Sequence, residues 1–541
     1  MKTLLIIINI SLSSFAYSQS FPSNFINDQN INNIKKHLEV LGSDLFEGRG
    51  TGTRGGELSA NYIASIFRKY DLTPLGSDSS YYQNVPLHGS NFLYESKLYL
   101  YTSSDTIQLK IGKDYLLSNS GEQTYLPKPI DLISVGYGII APEFDHNDYL
   151  DKDVNDKIVI MFDGEPTSEN AEFFNGEEPT IYSYPDVKHR VAISRGAAGT
   201  IIIPQINYND SSSWQKLVNE YSFEDIRLAY NATNNFGIIL NPNILRYILL
   251  DQKDYLRQNS NNKLRIKNCS LKFEGEFFVR DFISPNIIGV IEGNNTTDNE
   301  EYIIVSAHYD HLGIGPEING DKIYNGVLDN AIGVSALLEI ANSLRLQKDK
   351  LEKSIIFLAV TGEENGLLGS TFYVDHPIVP LYKTSANINI DGIAYLDEFK
   401  SIIGVGSELS QLHNYLENIA ELRSLSIGKI PKEFYMNEAF NRSDQMSFAK
   451  AGIPSTLILD GPDYVNLNWD DALNKIIYYH ENVYHTPFDD SSIKINYKAV
   501  KQHVDLIASF IYELAVMPDE INWNDNSPYN YIRLQTKAEK R

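Results

Sequence analysis

From Asn286 onward the chain alternates short apolar runs with longer stretches whose apolar residues recur at helical spacing. Tyr302 to Ala307, Ser354 to Val360, Ala386 to Ile390, Ser401 to Val405 and Ser455 to Leu459 read as strands. Ala331 to Leu346, Leu409 to Leu422 and Tyr497 to Leu514 read as helices. Apolar strands alternating with helices are the signature of a mostly parallel sheet covered on both faces, the doubly wound α/β class. Upstream the pattern changes. From about Val85 to Phe282 short strands such as Lys157 to Met161 and Gly199 to Ile203 lie between Asn, Asp and Gly turns, so this part is β-rich. Before it, Ile31 to Gly76 reads as a helix, the glycine-rich loop Glu47-Gly48-Arg49-Gly50-Thr51-Gly52-Thr53, and an amphipathic helix from Gly56 to about Tyr70.

These shifts divide the chain at 1–18, 19–84, 85–282, 283–517 and 518–541, the last a polar tail expected to be loose. The first segment has Lys2, the apolar run Leu4 to Ile10, and the small-x-small site Ala16-Tyr17-Ser18 before Gln19. That is the layout of a secretory signal, too short for a membrane span, so export to the periplasm or beyond is expected. No later segment has about twenty continuous apolar residues, and no membrane partner is expected.

Composition narrows the chemistry. At 541 residues and 42% hydrophobic, the chain is long and apolar enough for two or three packed domains. Its 70 acidic against 46 basic residues give a net charge of -24, which repels nucleic-acid phosphates and anionic lipid. Cys269 is the only cysteine, which removes internal disulfides and cysteine-ligated zinc. Any metal must be held by His, Asp and Glu.

Such residues gather at the carboxyl ends of the expected strands, where open α/β sheets bind their ligands. His308-Tyr309-Asp310 follows the first strand, Thr361-Gly362-Glu363-Glu364 the second, and Asp391 the third. Asp329 precedes the helix beginning near Ala331, and His485 lies in the loop Tyr484-His485-Thr486-Pro487-Phe488-Asp489-Asp490. Singly each has a plainer reading: a hydrogen-bonded histidine, a helix cap at Asp329, a solvated turn at Glu363-Glu364. Together they form a set suited to zinc, and two histidines with three carboxylates can hold two ions if one carboxylate bridges. His311 and His480 compete for the imidazole roles, and spacing does not exclude them.

The stretches Ser306 to Gly313, Gly326 to Ala331, Thr361 to Ser370 and His485-Thr486-Pro487 resemble the co-catalytic di-zinc aminopeptidase family. That family includes bacterial secreted leucine aminopeptidases, the yeast vacuolar aminopeptidase and glutamate carboxypeptidase. The Glu47-Gly48-Arg49 loop resembles the amino-terminal part of its bacterial members. Val135 to Gly138, Asp156 to Val159 and Ala192 to Ile203 resemble their inserted protease-associated domain. The resemblance implies a three-layer, doubly wound mixed sheet carrying that insert, and an exopeptidase acting on peptides with a free amino end. It implies two zinc ions, one on His308 and Asp391, the other on Glu364 and His485, with Asp329 between them. Glu363 would be the general base and Asp310 the carboxylate that orients His308. It also implies a cis peptide between Asp329 and Asn330.

In one place the sequence departs from the family. Many relatives have Ser-Asp-His where this chain has Ser443-Asp444-Gln445, which bears on substrate binding rather than on the metal ligands. Three other readings stand beside the aminopeptidase: a carboxypeptidase of the same family, a single-zinc glutaminyl cyclase, and a binding protein without activity. Gly461 to Glu481 reads as long and irregular, either a pocket cover or a surface loop.

Overall fold

The computed structural model describes residues 22 and 24–539, apart from 123–127, 167–169, 171, 177–178, 207–210, 232–234, 251–263, 295–299, 432–433 and 435. The expected signal, Met1 to Ser18, lies outside the described residues. A ten-stranded sheet organises the chain, with Ser354–Val360, Tyr302–His308, Thr384–Asn389 and Ser455–Asp460 adjacent and parallel at its centre. Every residue of Ser354–Val360 and Thr384–Asn389 is buried; the first reads as a nearly unbroken apolar run, whereas the second carries polar side chains such as Asn387 and Asn389 that are hydrogen-bonded inside the sheet.

Alternate residues serve opposite faces. Ile303, Val305, Phe357 and Ala359 join the core formed with Asp28–Leu41, Arg54–Lys69, Ile332–Leu344, Leu412–Leu422 and Tyr497–Val516. Ile304, Ile356 and Leu358 pack instead with Tyr373 of Leu368–Asp375 and Phe448 of Gln445–Lys450. The expected helix–sheet–helix arrangement is present. Val327–Lys350 is long and apolar enough to cross a membrane by composition, yet 94% of its apolar window is buried inside the fold. Its regular part, Ile332–Leu344, is one of the helices that pack on the sheet.

The strands and helices expected after Asn286 are found to within a few residues of their ends, but the upstream boundaries are narrower than the pattern predicts. Tyr82–Phe92 and Phe277–Ile291 pair antiparallel along their length and belong to the large sheet. A separate eight-stranded sheet lies between Lys97 and Glu274. Asp225–Leu228 returns from that region to pair with Tyr82–Phe92. The tail is not loose. Asn530–Ala538 is a helix with Arg533 and Thr536 buried, and Trp523 Nε1 donates to the Gly452 carbonyl at 2.8 Å. Nor is Gly461 to Glu481 irregular throughout: Trp469–Asn482 is helical, its first turn capped by the Asn468 side chain accepting the Asp471 N–H at 2.9 Å.

Candidate metal centre

His308 is the last residue of its strand, and Glu363, Glu364 and Asp391 lie in the turns just beyond two neighbouring strands. Asp329 lies in the irregular turn before Ile332–Leu344, and His485 just after Trp469–Asn482. Strand ends and loops thus converge on one spot. His308 Nε2 lies 3.2 Å from Asp391 Oδ1 and 3.3 Å from Asp329 Oδ1. His485 Nε2 lies 2.9 Å from Glu364 Oε2 and 3.3 Å from Asp329 Oδ2. The two oxygens of Asp329 therefore face two different imidazoles.

Asp329 does not cap the helix after it. Asn330 does so, its Oδ1 accepting the Gly333 N–H at 3.1 Å and the Gly392 N–H at 3.1 Å, which leaves the Asp329 carboxylate free for the cluster. The Asp329–Asn330 peptide is cis, as the resemblance implies. Asp489 fixes the same turn from the far side, accepting the Leu328 and Asp329 N–H groups at 2.9 and 3.0 Å.

Asp310 departs from its expected role. The group beside His308 Nδ1, at 3.2 Å, is the backbone carbonyl of Asp310 rather than its carboxylate. The carboxylate, fully buried, accepts the N–H groups of Glu363 and Glu364 at 3.2 and 3.4 Å and the Thr51 hydroxyl at 3.1 Å. The strand ends bring Asp310 beneath the Glu363 turn, so its carboxylate orients the two acids while its backbone carbonyl faces the imidazole.

Arg49, from the glycine-rich loop, has no exposed surface. Its guanidinium donates to the carbonyls of Tyr309, Leu41, Asn325, Gly326 and Asp329, stitching the His308 turn to the Asp329 turn. Burial pulls its pKa down to about 10, against the opposing charges of Asp489, Asp329, Asp310 and Glu364. Glu363 is pushed well above the ordinary carboxylate range by burial, opposed by His308 but reinforced by Asp391, Glu364 and Asp444. Asp444, also fully buried, is raised to about 7, mainly by burial. Gln445, where many relatives have histidine, braces the wall: it accepts from Asn389 Nδ2 at 2.9 Å and donates to the Phe440 carbonyl at 2.9 Å.

The cluster fits divalent metal. One donor atom from each of His308, Asp329 and Asp391 lies within 4.8 Å of the others, as does one from each of His311, Asp329, Glu364 and His485. His485 Nε2 is buried without a well-formed hydrogen bond although two carboxylate oxygens surround it. Several carboxylate oxygens and imidazole nitrogens so gathered are the donor types that a cation takes, and an imidazole–carboxylate set suits zinc.

Sequence reasoning placed the five proposed ligands and Glu363 together, and the structure brings all six together. His480 belongs to none of the donor groups among the described residues; His311 does. The sequence around Arg49 and Asp489 points to no role for either, because a contact from 260 residues away, such as Arg49 to the Tyr309 carbonyl, leaves no local pattern. Tyr484, one of 35 tyrosines, stacks on His485 with ring centroids 3.8 Å apart.

Residues 286–511 match Peptidase family M28. The chain is similar to Aminopeptidase YwaD of Bacillus subtilis, 31% identical over 231 residues that cover 42% of this chain and 44% of the relative. It is also similar to probable leucine aminopeptidase 2 of Aspergillus oryzae, 28% identical over 186 residues, covering 33% of this chain and 34% of that one. The chain thus spans less than half the length of these curated relatives. Among solved structures, the aminopeptidase from Aneurinibacillus sp. strain AM-1 shares the fold with a TM-score of 0.53 at 19% identity, covering 91% of this chain and 95% of that one.

Proposed function

We propose that this chain, a member of Peptidase family M28 through its residues 286–511, is a zinc-dependent aminopeptidase that removes residues from the free amino end of peptides. The observation that carries the reading is the Asp329 carboxylate, whose oxygens lie 3.3 Å from His308 Nε2 and 3.3 Å from His485 Nε2. A carboxylate so placed suits two ions, with Asp391 completing the His308 side and Glu364 the His485 side. When bound, such a pair lowers the pKa of water and polarises the scissile carbonyl. The names of the two curated relatives described above, Aminopeptidase YwaD and probable leucine aminopeptidase 2, favour the amino end.

The chain's own residues supply the rest. Glu363, whose side chain makes no hydrogen bond among the described residues and which lies close to His308, takes a proton from water as the oxygen adds to the carbonyl carbon. As the C–N bond breaks, the same carboxyl returns that proton to the leaving amine nitrogen. The Asp310 carboxylate fixes the Glu363–Glu364 turn through both backbone N–H groups. Tyr484 holds the His485 ring by stacking.

The β-rich region between Lys97 and Glu274 serves access rather than chemistry in this reading. No donor group among the described residues includes one of its side chains. His189 bonds the Thr200 hydroxyl at 2.6 Å, and His146 pairs with Asp148 at 3.2 Å. Lys216 reaches the Glu481 carbonyl at 3.2 Å, linking this region to the helix that leads into His485. We also propose that the enzyme acts outside the cytoplasm, because Lys2 and the run Leu4 to Ile10 have the layout of an export signal; amino-terminal sequencing of the cell-derived protein should begin at Gln19.

A carboxypeptidase of the same family is the second reading, because Arg442 lies near enough to Tyr484, His480 and Glu220 for its charge to reach them, and a guanidinium can grip a terminal carboxylate. The deciding experiment is hydrolysis of a panel of free, amino-acetylated and carboxyl-amidated dipeptides, with zinc measured on the same sample. Acetylation should abolish turnover. Undiminished cleavage of acetylated peptides, with loss on amidation, would reassign the enzyme to the carboxyl end.

A further inference from the structure

Resting on the metallopeptidase reading, we propose that His311 is a positioning residue that donates Nδ1–H to Glu364 Oε1 and so confines Glu364 to holding metal through Oε2 alone. His311 is 2% exposed and lies in the same sequence motif as His308. Its Nδ1 is 2.6 Å from Glu364 Oε1 but 3.9 Å from Asp329 Oδ2, so the contact belongs to Glu364. The other oxygen of that carboxylate, Oε2, lies 2.9 Å from His485 Nε2. One oxygen is thus taken by His311 and the other faces the metal side.

Proton placement separates a donor from a fourth ligand. A carboxylate only accepts, so at 2.6 Å the hydrogen sits on Nδ1. His311 Nε2 is buried with no partner among the described residues. With the hydrogen on Nδ1, only a ring lone pair is left orphaned there. Were Nδ1 a metal ligand, the hydrogen would move to Nε2 and bury an N–H with no acceptor, the rarer and more costly defect. A ligating carboxylate, in turn, ordinarily receives a hydrogen bond on its free oxygen.

The backbone keeps the ring in place. The His311 N–H points to the Arg49 carbonyl at 3.4 Å. Gly326, at φ +58°, abuts the imidazole so closely that a Cβ there would stand 2.5 Å from ring carbon Cδ2. The ring cannot swing away from Glu364 toward that side, and a side chain at 326 would drive it out. With Oε1 held by His311, Glu364 would offer a bound ion a single oxygen, which would leave room for water and substrate.

The test compares His311→Ala, His311→Asn and wild type, all full-length. Asparagine Nδ2 stands about where Nδ1 stood, so it restores the donor without restoring the imidazole. Zinc retention is measured by chelator competition, and the number of imidazoles per zinc by X-ray absorption. We expect His311→Ala to weaken one of two ions by about 10–100-fold, the usual effect of losing a partner of a ligand. His311→Asn should recover most of that, and the wild-type spectrum should fit two imidazoles per zinc pair. Unchanged zinc retention in folded His311→Ala, or three imidazoles per pair with no rescue by His311→Asn, overturns the proposal while leaving the metallopeptidase reading intact. A wild-type chain that takes up no zinc overturns that reading, and the positioning role with it.

Discussion

Asp489 accepts the backbone N–H of Asp329 at 3.0 Å, so the loop carrying His485 also grips the residue whose carboxylate faces His485. The grip is double, because the second Asp489 oxygen takes the Leu328 N–H at 2.9 Å, and Tyr479 donates its hydroxyl to the first at 3.2 Å. Removing it should loosen both halves of the centre at once. Asp489→Ala is expected to lower zinc affinity by about 10–100-fold. A chelator titration equal to that of wild type would show that the Asp329 turn holds its place unaided.

Glu363 and Glu364 are adjacent in sequence but differ in contacts. Glu364 has both oxygens engaged, by His311 and by His485, whereas no hydrogen bond is made by the Glu363 side chain among the described residues. Glu363→Gln should keep fold and zinc while lowering turnover by about two to four orders of magnitude, the usual worth of a general base. Glu364→Gln should shed metal. Zinc analysis beside kcat on both variants checks the pairing, and the opposite pattern exchanges the two roles.

The strands and helices after Asn286 are legible because burial on both sheet faces leaves nearly unbroken apolar runs such as Ser354–Val360. The candidate cluster is legible because strand carboxyl ends align, which puts His308, Glu363, Glu364 and Asp391 at matching positions. What escaped depends on contacts distant in sequence. The Asp310 carboxylate was assigned to His308, two residues away, but its partners are the Glu363 and Glu364 N–H groups, across the sheet. The Lys97–Glu274 boundary escaped because Phe277–Ile291 is one continuous strand whose first half is largely exposed and whose second half is buried, so no break in pattern marks its start. The helix Asn530–Ala538 looked loose because its composition is polar; Arg533 is buried all the same.

Arg49 joins five carbonyls with one guanidinium and has no exposed surface. Arg49→Met keeps the bulk but strands those carbonyls and removes a cation from among four carboxylates. Loss of one partner from a buried charged network costs roughly 3–5 kcal/mol, so the variant should unfold at clearly lower denaturant concentration. Arg49→Lys should recover only part of this, since an ammonium has three donors in place of a planar fork. Urea midpoints for the two variants give the comparison, and wild-type stability in Arg49→Met would mean that water replaces the guanidinium.

Glu339 supplies a prediction away from the metal. It is the one charged residue of Ile332–Leu344, has no exposed surface, and accepts from Asn30 Nδ2 at 2.8 Å and Asn342 Nδ2 at 3.1 Å. Tyr70 donates its hydroxyl to the same carboxylate, so this acid fastens Asp28–Leu41 and Arg54–Lys69 to the core helix. Burial alone would raise its pKa, but hydrogen bonds from His37, Tyr70, Asn30 and Asn342 outweigh burial and lower it from 4.5 to about 2. A folded pKa below the unfolded one means stability that is complete above about 4.5 and lost as pH falls toward 2. The shift corresponds to about 3 kcal/mol at neutral pH, at about 1.4 kcal/mol per unit. Glu339→Gln, which cannot ionise, should be less stable than wild type at pH 7 by an amount of that order, and the gap should close as pH falls through the interval. Both proteins are to be measured free of zinc, because acid release of metal adds a pH dependence of its own. Urea unfolding curves that keep a constant separation from pH 7 to pH 2 would mean that the Glu339 charge contributes nothing to holding the amino-terminal helices.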